Sequence, residues 1–310
     1  MKLATFMKNG KSSVGTVVGG GRLIIDLQEA ARANGKDQHV FADMITFLES
    51  NGRGRELAQH LINRGGSDNW VFKLEQVRLL APVPSPRKLF AVAGNYAEHI
   101  EEGGGVLMPQ DKETPRIFMK PPSSAVIGQG DSIRIPPVAQ AIDWEGELAV
   151  IMGKRAKAVK RDKALEYVAG YTIMNDVSER KLKIWNRSDS RPQDQWFDWL
   201  NGKWYDTFAP LGPWMVTTED IPNPQTLEIS TYVNGEQKQH CSTAQMIFPV
   251  ALIIEYLSAM VTLEPGDVIS TGTVAGVGAI SGQFLQPGDL VRIEISGIGE
   301  LSNPVVRSEV

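Results

Sequence analysis

The segment Asp143-Trp144-Glu145-Gly146-Glu147 places acids at alternate positions and runs directly into the apolar stretch Leu148 to Met152. Successive side chains of a strand face opposite ways, so Asp143, Glu145 and Glu147 are expected on one face. Three like charges side by side cost free energy unless a cation neutralises them, and Gly146 between them lets a backbone or a ligand come close. A further acid, Asp176, ends the buried-strand pattern of Tyr167 to Met174 and precedes a stretch, Val177 to Trp185, that is expected to be helical. It either caps that helix or completes the site. The donors are all oxygen, with no cysteine pair and no histidine pair at ligand spacing, so the implied ion is hard, Mg²⁺ or Mn²⁺ rather than Zn²⁺. The competing reading is that acids at a strand entrance are solvated edge residues that discourage strand aggregation. Spacing alone does not choose between the two.

A base is the second requirement of metal-assisted hydrolysis. His39, His60 and His240 carry no motif, whereas His99 lies in the short helical stretch Tyr96 to Glu102, with Asn95 as the expected N-cap and Glu102 three residues on. At i, i+3 the carboxylate lies beside the imidazole, orients it and raises its basicity. A base so held can take a proton from a metal-bound water. The same pattern also describes a solvated helix face. Gly272-Thr273 offers backbone N–H groups and a hydroxyl in a glycine-rich turn, either a carboxylate clamp or a simple strand connection. Lys120, before Pro121-Pro122, and Lys203, after Gly202, read on their own as surface lysines.

These residues need a scaffold, and 310 residues with 42% hydrophobic and 22% charged side chains are enough to bury a sizeable core. The length favours two units. Near the start, Leu3–Met7, Val14–Val18 and Leu23–Leu27 alternate with Asn9-Gly10 and Gly19-Gly20-Gly21, a small β-meander. Helices are expected over Gln28–Ala33 and Phe41–Ile62, the second broken at Gly52 to Gly54, with Asn34-Gly35 and Gly65-Gly66 as stops. Proline at 82, 84 and 86 favours an extended link, which divides the chain into 1–80 and 85–310. The second unit is mainly β, with two Pro-Gly-Asp turns at 265–267 and 287–289 each leading into a β-rich run and helices too sparse for βαβ repeats.

Other classes fall away. No Gly-x-Gly-x-x-Gly, phosphate-binding Gly-Lys-Ser/Thr or Gly-x-Ser-x-Gly occurs, which removes nucleotide binding and serine-hydrolase chemistry. A net charge of −4 without basic runs excludes nucleic acid as a partner. The single cysteine, Cys241, and the absence of an apolar leader or a span of membrane length point to the cytoplasm with no membrane association.

Several blocks, taken in order, resemble the fumarylacetoacetate hydrolase family. They are Gly94-Asn95-Tyr96-Ala97-Glu98-His99, Phe118-Met119-Lys120-Pro121, the 143–147 acids, Asn175-Asp176-Val177-Ser178-Glu179-Arg180, Gly202-Lys203 with Asp206 and Phe208, Val233-Asn234-Gly235-Glu236, Thr262 to Asp267, and Thr271 to Gly278. The resemblance covers about 85 to 305 and implies a mainly β fold with some α, a mixed β-sandwich roll preceded by a small N-terminal α/β domain, in a homodimer. It further implies Glu145, Glu147 and Asp176 as ligands of Mg²⁺ or Mn²⁺, with Asp143 behind them. His99 and Glu102 resemble the catalytic dyad, Lys120 a catalytic cation, and Lys183, Lys203, Gly272 and Thr273 substrate-binding groups. A further acid that larger members carry seven positions before the histidine falls here on Val92, so three carboxylates are expected to suffice.

Two departures stand out, Lys183 where many members have Gln and Val274 where many have Pro. Lys donates only and adds charge, which points to a more anionic substrate or an altered role. The stretch from Trp185 to Trp204 contains Arg187, Arg191, Trp196 and Trp199 and is longer than in short members, so it serves either as a cover over a bound acid or as a dimer contact. The implied activity is cleavage of a C–C bond in a small diketo or 2-oxo acid. Decarboxylation, tautomerisation and sugar-acid lyase chemistry are alternatives within the family, and a non-catalytic acid-binding sandwich is the alternative outside it.

Overall fold

A computed structural model describes residues 1–64 and 69–309; the expected stop at Gly65-Gly66 lies outside them. The Gly146–Met152 and Val168–Asn175 strands are buried along their whole lengths, in keeping with their largely apolar sequences, and carry Glu147, Thr172 and Asn175 inside with them. They pair antiparallel, with Gly146 opposite Asn175, so the metal-site acids of one strand enter beside the Asn175-Asp176 end of the other. On one side this pair continues through Ala209–Thr217 to the N-terminal meander; on the other it continues through Val268–Ser270 and Leu89–Ala93 to Arg116–Met119. The whole forms a 12-stranded sheet. Leu3 pairs with Met215, so backbone hydrogen bonding crosses from the first N-terminal strand into the large sheet on the far side of the proline-rich link.

Alternation along Gly146–Met152 divides the interior. Leu148, Val150 and Met152 pack with Ile229, Ile293 and Leu301 of a second, five-stranded sheet. Ala149 and Ile151 pack with Leu27, Phe41, Met44 and Phe47 of the N-terminal helical layer. The architecture is the expected mainly β roll of mixed sheets, with the N-terminal helices packed in one core and the Val250–Met260 helix in the other. Helices Leu27–Ala33, Met44–Glu49 and Arg53–Asn63 fall on the expected stretches, but the break comes at Ser50 to Gly52, with Gly54 already inside the second helix; a further helix spans Val250–Met260.

Three local expectations are corrected. Val177 to Trp185 is not a helix: Ser178–Glu179 forms a short ribbon with Ile142–Asp143, and the chain then turns. The Glu179 carboxylate accepts from the backbone N–H groups of Gln140, Ala141 and Lys181, giving the segment long-range partners that outcompete local helix formation. Asn95 does not cap the His99 helix. Its amide donates to Phe248 O and Thr271 O and accepts from Phe248 N–H, pinning three segments together below the site. Finally, the aromatic stretch from Trp185 to Trp204 is not loop throughout but contains a helix, Asp194–Asn201.

Candidate metal centre

Glu145, Glu147 and Asp176 each turn one carboxylate oxygen into a cluster whose members all lie within 4.8 Å of one another, and all three are buried. The backbone builds the cluster. Glu145 sits just before its strand, its N–H held by Asn175 Oδ1 at 3.0 Å, while Asp176 N–H donates to Glu145 O at 2.9 Å. Glu147, inside the strand, accepts from Ser270 Oγ at 2.6 Å and Gly272 N–H at 2.8 Å through Oε2. Among the described residues its Oε1 has no hydrogen-bond partner although it is buried. Such an oxygen is costly unless an ion completes it.

Two buried lysines and the part-buried Arg180 surround the acids. Lys203 Nζ donates to Glu145 Oε2 at 2.9 Å, Asp176 Oδ2 at 2.7 Å and Ser178 Oγ at 2.9 Å. Lys120 Nζ donates to the other oxygen of Asp176 and to Val177 O at 3.0 Å. Arg180 donates through Nε to Asp143 Oδ2 at 2.9 Å and through Nη2 to Glu145. Phe118 and Trp199 place their rings 5.1 and 5.2 Å from the Lys203 ammonium. Asp143 does not join the cluster, because its carboxylate accepts from Gly278 N–H at 2.6 Å and Ala279 N–H at 3.0 Å and meets Arg180.

The protonation energetics follow from these contacts. Burial opposes charge on Glu145, but Lys203 and Arg180 outweigh it and hold the carboxyl well below the usual carboxylate range. Burial, with Asp176 and Glu145 beside it, pushes Glu147 well above that range. Burial lowers Lys120 despite Asp176, whereas the carboxylates around Lys203 outweigh its burial and raise it. With every carboxylate ionised, as ligation of a cation would require, four carboxylates (Asp143, Glu145, Glu147, Asp176) against three cations (Lys120, Lys203, Arg180) leave one negative charge. A divalent ion turns that into one positive charge, the complement of an anionic acid. The all-oxygen donor set, the unpartnered Glu147 Oε1 and this charge balance fit a hard divalent cation.

His99 Nδ1 lies 2.7 Å from Glu102 Oε1, and Glu102 Oε2 accepts from Gly276 N–H at 2.8 Å. The dyad is half-buried, and His99 contributes to the field that lowers Glu145. Gly272 and Thr273 also lie at the site, but their polar groups face inward. The Gly272 N–H holds Glu147, and the Thr273 hydroxyl donates to Gly146 O at 3.1 Å, so the expected clamp grips the protein's own carboxylate strand. Lys183 stands apart from the cluster, exposed on the rim of a cavity of about 740 Å³ that Arg180 and Trp199 also line. Arg180 and Ser178, quoted in a motif but given no task by the sequence reading, carry direct contacts. Their alternation would have assigned both to the Asp176 face had the segment been read as extended.

A mainly β roll with three inward carboxylates, buried lysines and a His–Glu pair held by the same loop as Glu147 fits a carboxylate-held site for a divalent metal. The family described as fumarylacetoacetate (FAA) hydrolase, C-terminal, matches residues 88–306, and the chain belongs to it. A mitochondrial oxaloacetate tautomerase of Xenopus laevis is 38% identical over 99% of this chain and 90% of its own. Among solved structures, a 5-carboxymethyl-2-hydroxymuconate delta-isomerase from Mycobacterium smegmatis is 34% identical with a TM-score of 0.73, covering both chains fully. A maleylpyruvate hydrolase from Sphingobium sp. SYK-6, in complex with manganese(II) and pyruvate, is 29% identical with a TM-score of 0.78, again over the whole of both chains.

Proposed function

We propose that the protein is a Mg²⁺- or Mn²⁺-dependent hydrolase that cleaves the C–C bond of a small acylpyruvate-type diketo acid. The observation that carries this reading is that one loop holds both parts, Gly276 N–H binding Glu102 of the His99–Glu102 pair and Gly272 N–H binding Glu147 of the Glu145, Glu147 and Asp176 cluster. Those three carboxylates would hold the ion, which would supply a Lewis acid that polarises the substrate's 2-oxo acid group. Glu102 keeps a proton on His99 Nδ1, which leaves Nε2 to accept a proton from water. Hydroxide adds to the acyl carbonyl carbon, the bond to the pyruvyl methylene breaks, and its electron pair moves into the pyruvate enolate. The proton on His99 returns to that enolate, so the products are a carboxylic acid and pyruvate. Lys120 and Lys203 provide the positive field in which the enolate charge develops.

A second reading, keto–enol tautomerisation of oxaloacetate, is favoured by the name of the Xenopus laevis relative. It uses the same base without water addition. The two separate in one absorbance experiment with acetylpyruvate and freshly dissolved enol-oxaloacetate. The hydrolase reading expects equimolar acetate and pyruvate from acetylpyruvate with Mn²⁺, and no turnover after chelation. Acceleration of oxaloacetate ketonisation with acetylpyruvate left intact assigns the tautomerase and removes the hydrolase.

A further inference from the structure

Gln239 comes from the second sheet, from the Glu236–Ser242 strand, yet its side chain is buried against the metal strand of the first. Its Oε1 accepts from Gly146 N–H at 3.0 Å. Its Nε2 donates to Thr273 Oγ1 at 2.9 Å and to Val274 O at 2.7 Å. Thr273 closes the ring by donating to Gly146 O at 3.1 Å. Both backbone polar groups of Gly146, the residue between ligands Glu145 and Glu147, are thereby gripped by one amide and the hydroxyl it orients. Gly146 accepts this because a Cβ there would meet Thr231 Oγ1 at 2.1 Å, so no other residue lets the second sheet come so near.

The other end of the amide holds the loop that serves the rest of the site. Gly272 N–H supports Glu147, and Gly276 N–H supports Glu102, which in turn orients His99. The Gln239 contacts to Thr273 and Val274 lie between these two supports. We infer that Gln239 is a positioning residue that sets the metal ligands and the His99–Glu102 dyad in register with each other, by tying the Gly272–Gly276 loop to Gly146. An amide is the side chain that fits, because the two ends need an acceptor and a donor at once. The inference rests on the metal-site reading above and adds a residue 93 positions away from Gly146 in sequence.

Two substitutions test it. Gln239→Met keeps the volume and removes both ends. Gln239→Glu keeps the acceptor for Gly146 N–H and loses the donor for Thr273 and Val274. Calorimetry with Mn²⁺ alone is expected to show Gln239→Met bound about 10-fold more weakly than wild type, the scale seen when a residue supporting metal ligands is lost, and Gln239→Glu within about 3-fold. Hydrogen exchange of the 272–276 amides is expected to quicken in both variants, and kcat is expected to fall in both with little change in KM. A lowered Tm with Mn²⁺ affinity, amide exchange and kcat all as in wild type makes Gln239 a packing residue and overturns the inference. If Gln239→Met does not fold, unchanged loop exchange and kcat in Gln239→Glu overturn it equally. Wild-type protein that binds no Mn²⁺ removes the metal reading and the inference together, whereas normal wild-type binding with unaltered variants removes only the inference.

Discussion

Glu147→Gln is expected to abolish Mn²⁺ binding while leaving the fold as stable as before or more so. The amide oxygen can take the place of Oε2 and keep accepting from Ser270 Oγ and Gly272 N–H. Its NH₂ group then occupies the position of Oε1, the unpartnered oxygen, and presents a donor where a cation needs an acceptor. Affinity should fall by about 100-fold or more, the upper end of what ligand-supporting residues cost and a lower bound for a ligand itself. Stability moves the other way because the wild-type carboxyl, pushed up by burial and by Asp176 and Glu145, is held at a cost that a neutral amide avoids. Glu145→Gln makes the contrast. It should also lose Mn²⁺, but its charge is held by Lys203 and Arg180, and removing it leaves those cations poorly balanced. Its destabilisation should be about 2 kcal/mol, below the 3–5 of a wholly stranded buried charge, because Lys203 keeps Asp176 and Arg180 keeps Asp143. Calorimetry and thermal unfolding on the two variants check both signs. Tight Mn²⁺ binding in either variant would mean that its carboxylate is not a ligand.

Strand periodicity and like-charge crowding point to a metal at Glu145 and Glu147 but leave solvated edge acids open, and the set Glu145, Glu147 and Asp176 comes with the family resemblance. Strand periodicity puts Asp143 on the same face, but the strand is interrupted at Trp144 and Glu145, and Asp143 turns to the amides of Gly278 and Ala279. His99 and Glu102 were legible from i, i+3 spacing, and their bond at 2.7 Å fits it. Lys120 and Lys203 were not legible from their own neighbourhoods. Full burial of a lysine makes sense only once the carboxylates it meets are known, and those arrive from other strands. The Ser178 to Arg180 segment was misread as helix for the same reason, as its partners are Glu145, Asp143 and the 140–141 backbone. Gln239 left no trace at all. It follows an unremarkable polar run, and its task exists only where two sheets meet.

The dyad carries the second large effect. His99→Ala is expected to lower kcat on an acylpyruvate by about 100-fold or more, the range typical of losing a general base. Mn²⁺ affinity should be retained, because His99 acts on Glu145 only through its field and is not among the clustered ligands. Glu102→Gln is the more informative partner. Glu102 uses one oxygen for His99 Nδ1 and the other for Gly276 N–H, and an amide can accept at only one of these places. If the amide oxygen turns to His99, the proton on Nδ1 is kept and the loop is released; if it turns to Gly276, the imidazole loses its orientation. Either way kcat should drop by about 10-fold to 100-fold, less than for His99→Ala, since the base itself remains. The reaction studied changes the pattern in a way that ties the dyad to chemistry. Loss of carbon dioxide from oxaloacetate yields an enolate without water addition, so it needs no base to activate water. A severe loss on acetylpyruvate beside a mild one on oxaloacetate decarboxylation assigns His99 to water activation. Equal turnover of wild type and His99→Ala on acetylpyruvate would remove His99 from the mechanism and leave the carboxylate-held ion and the two buried lysines to account for the rate.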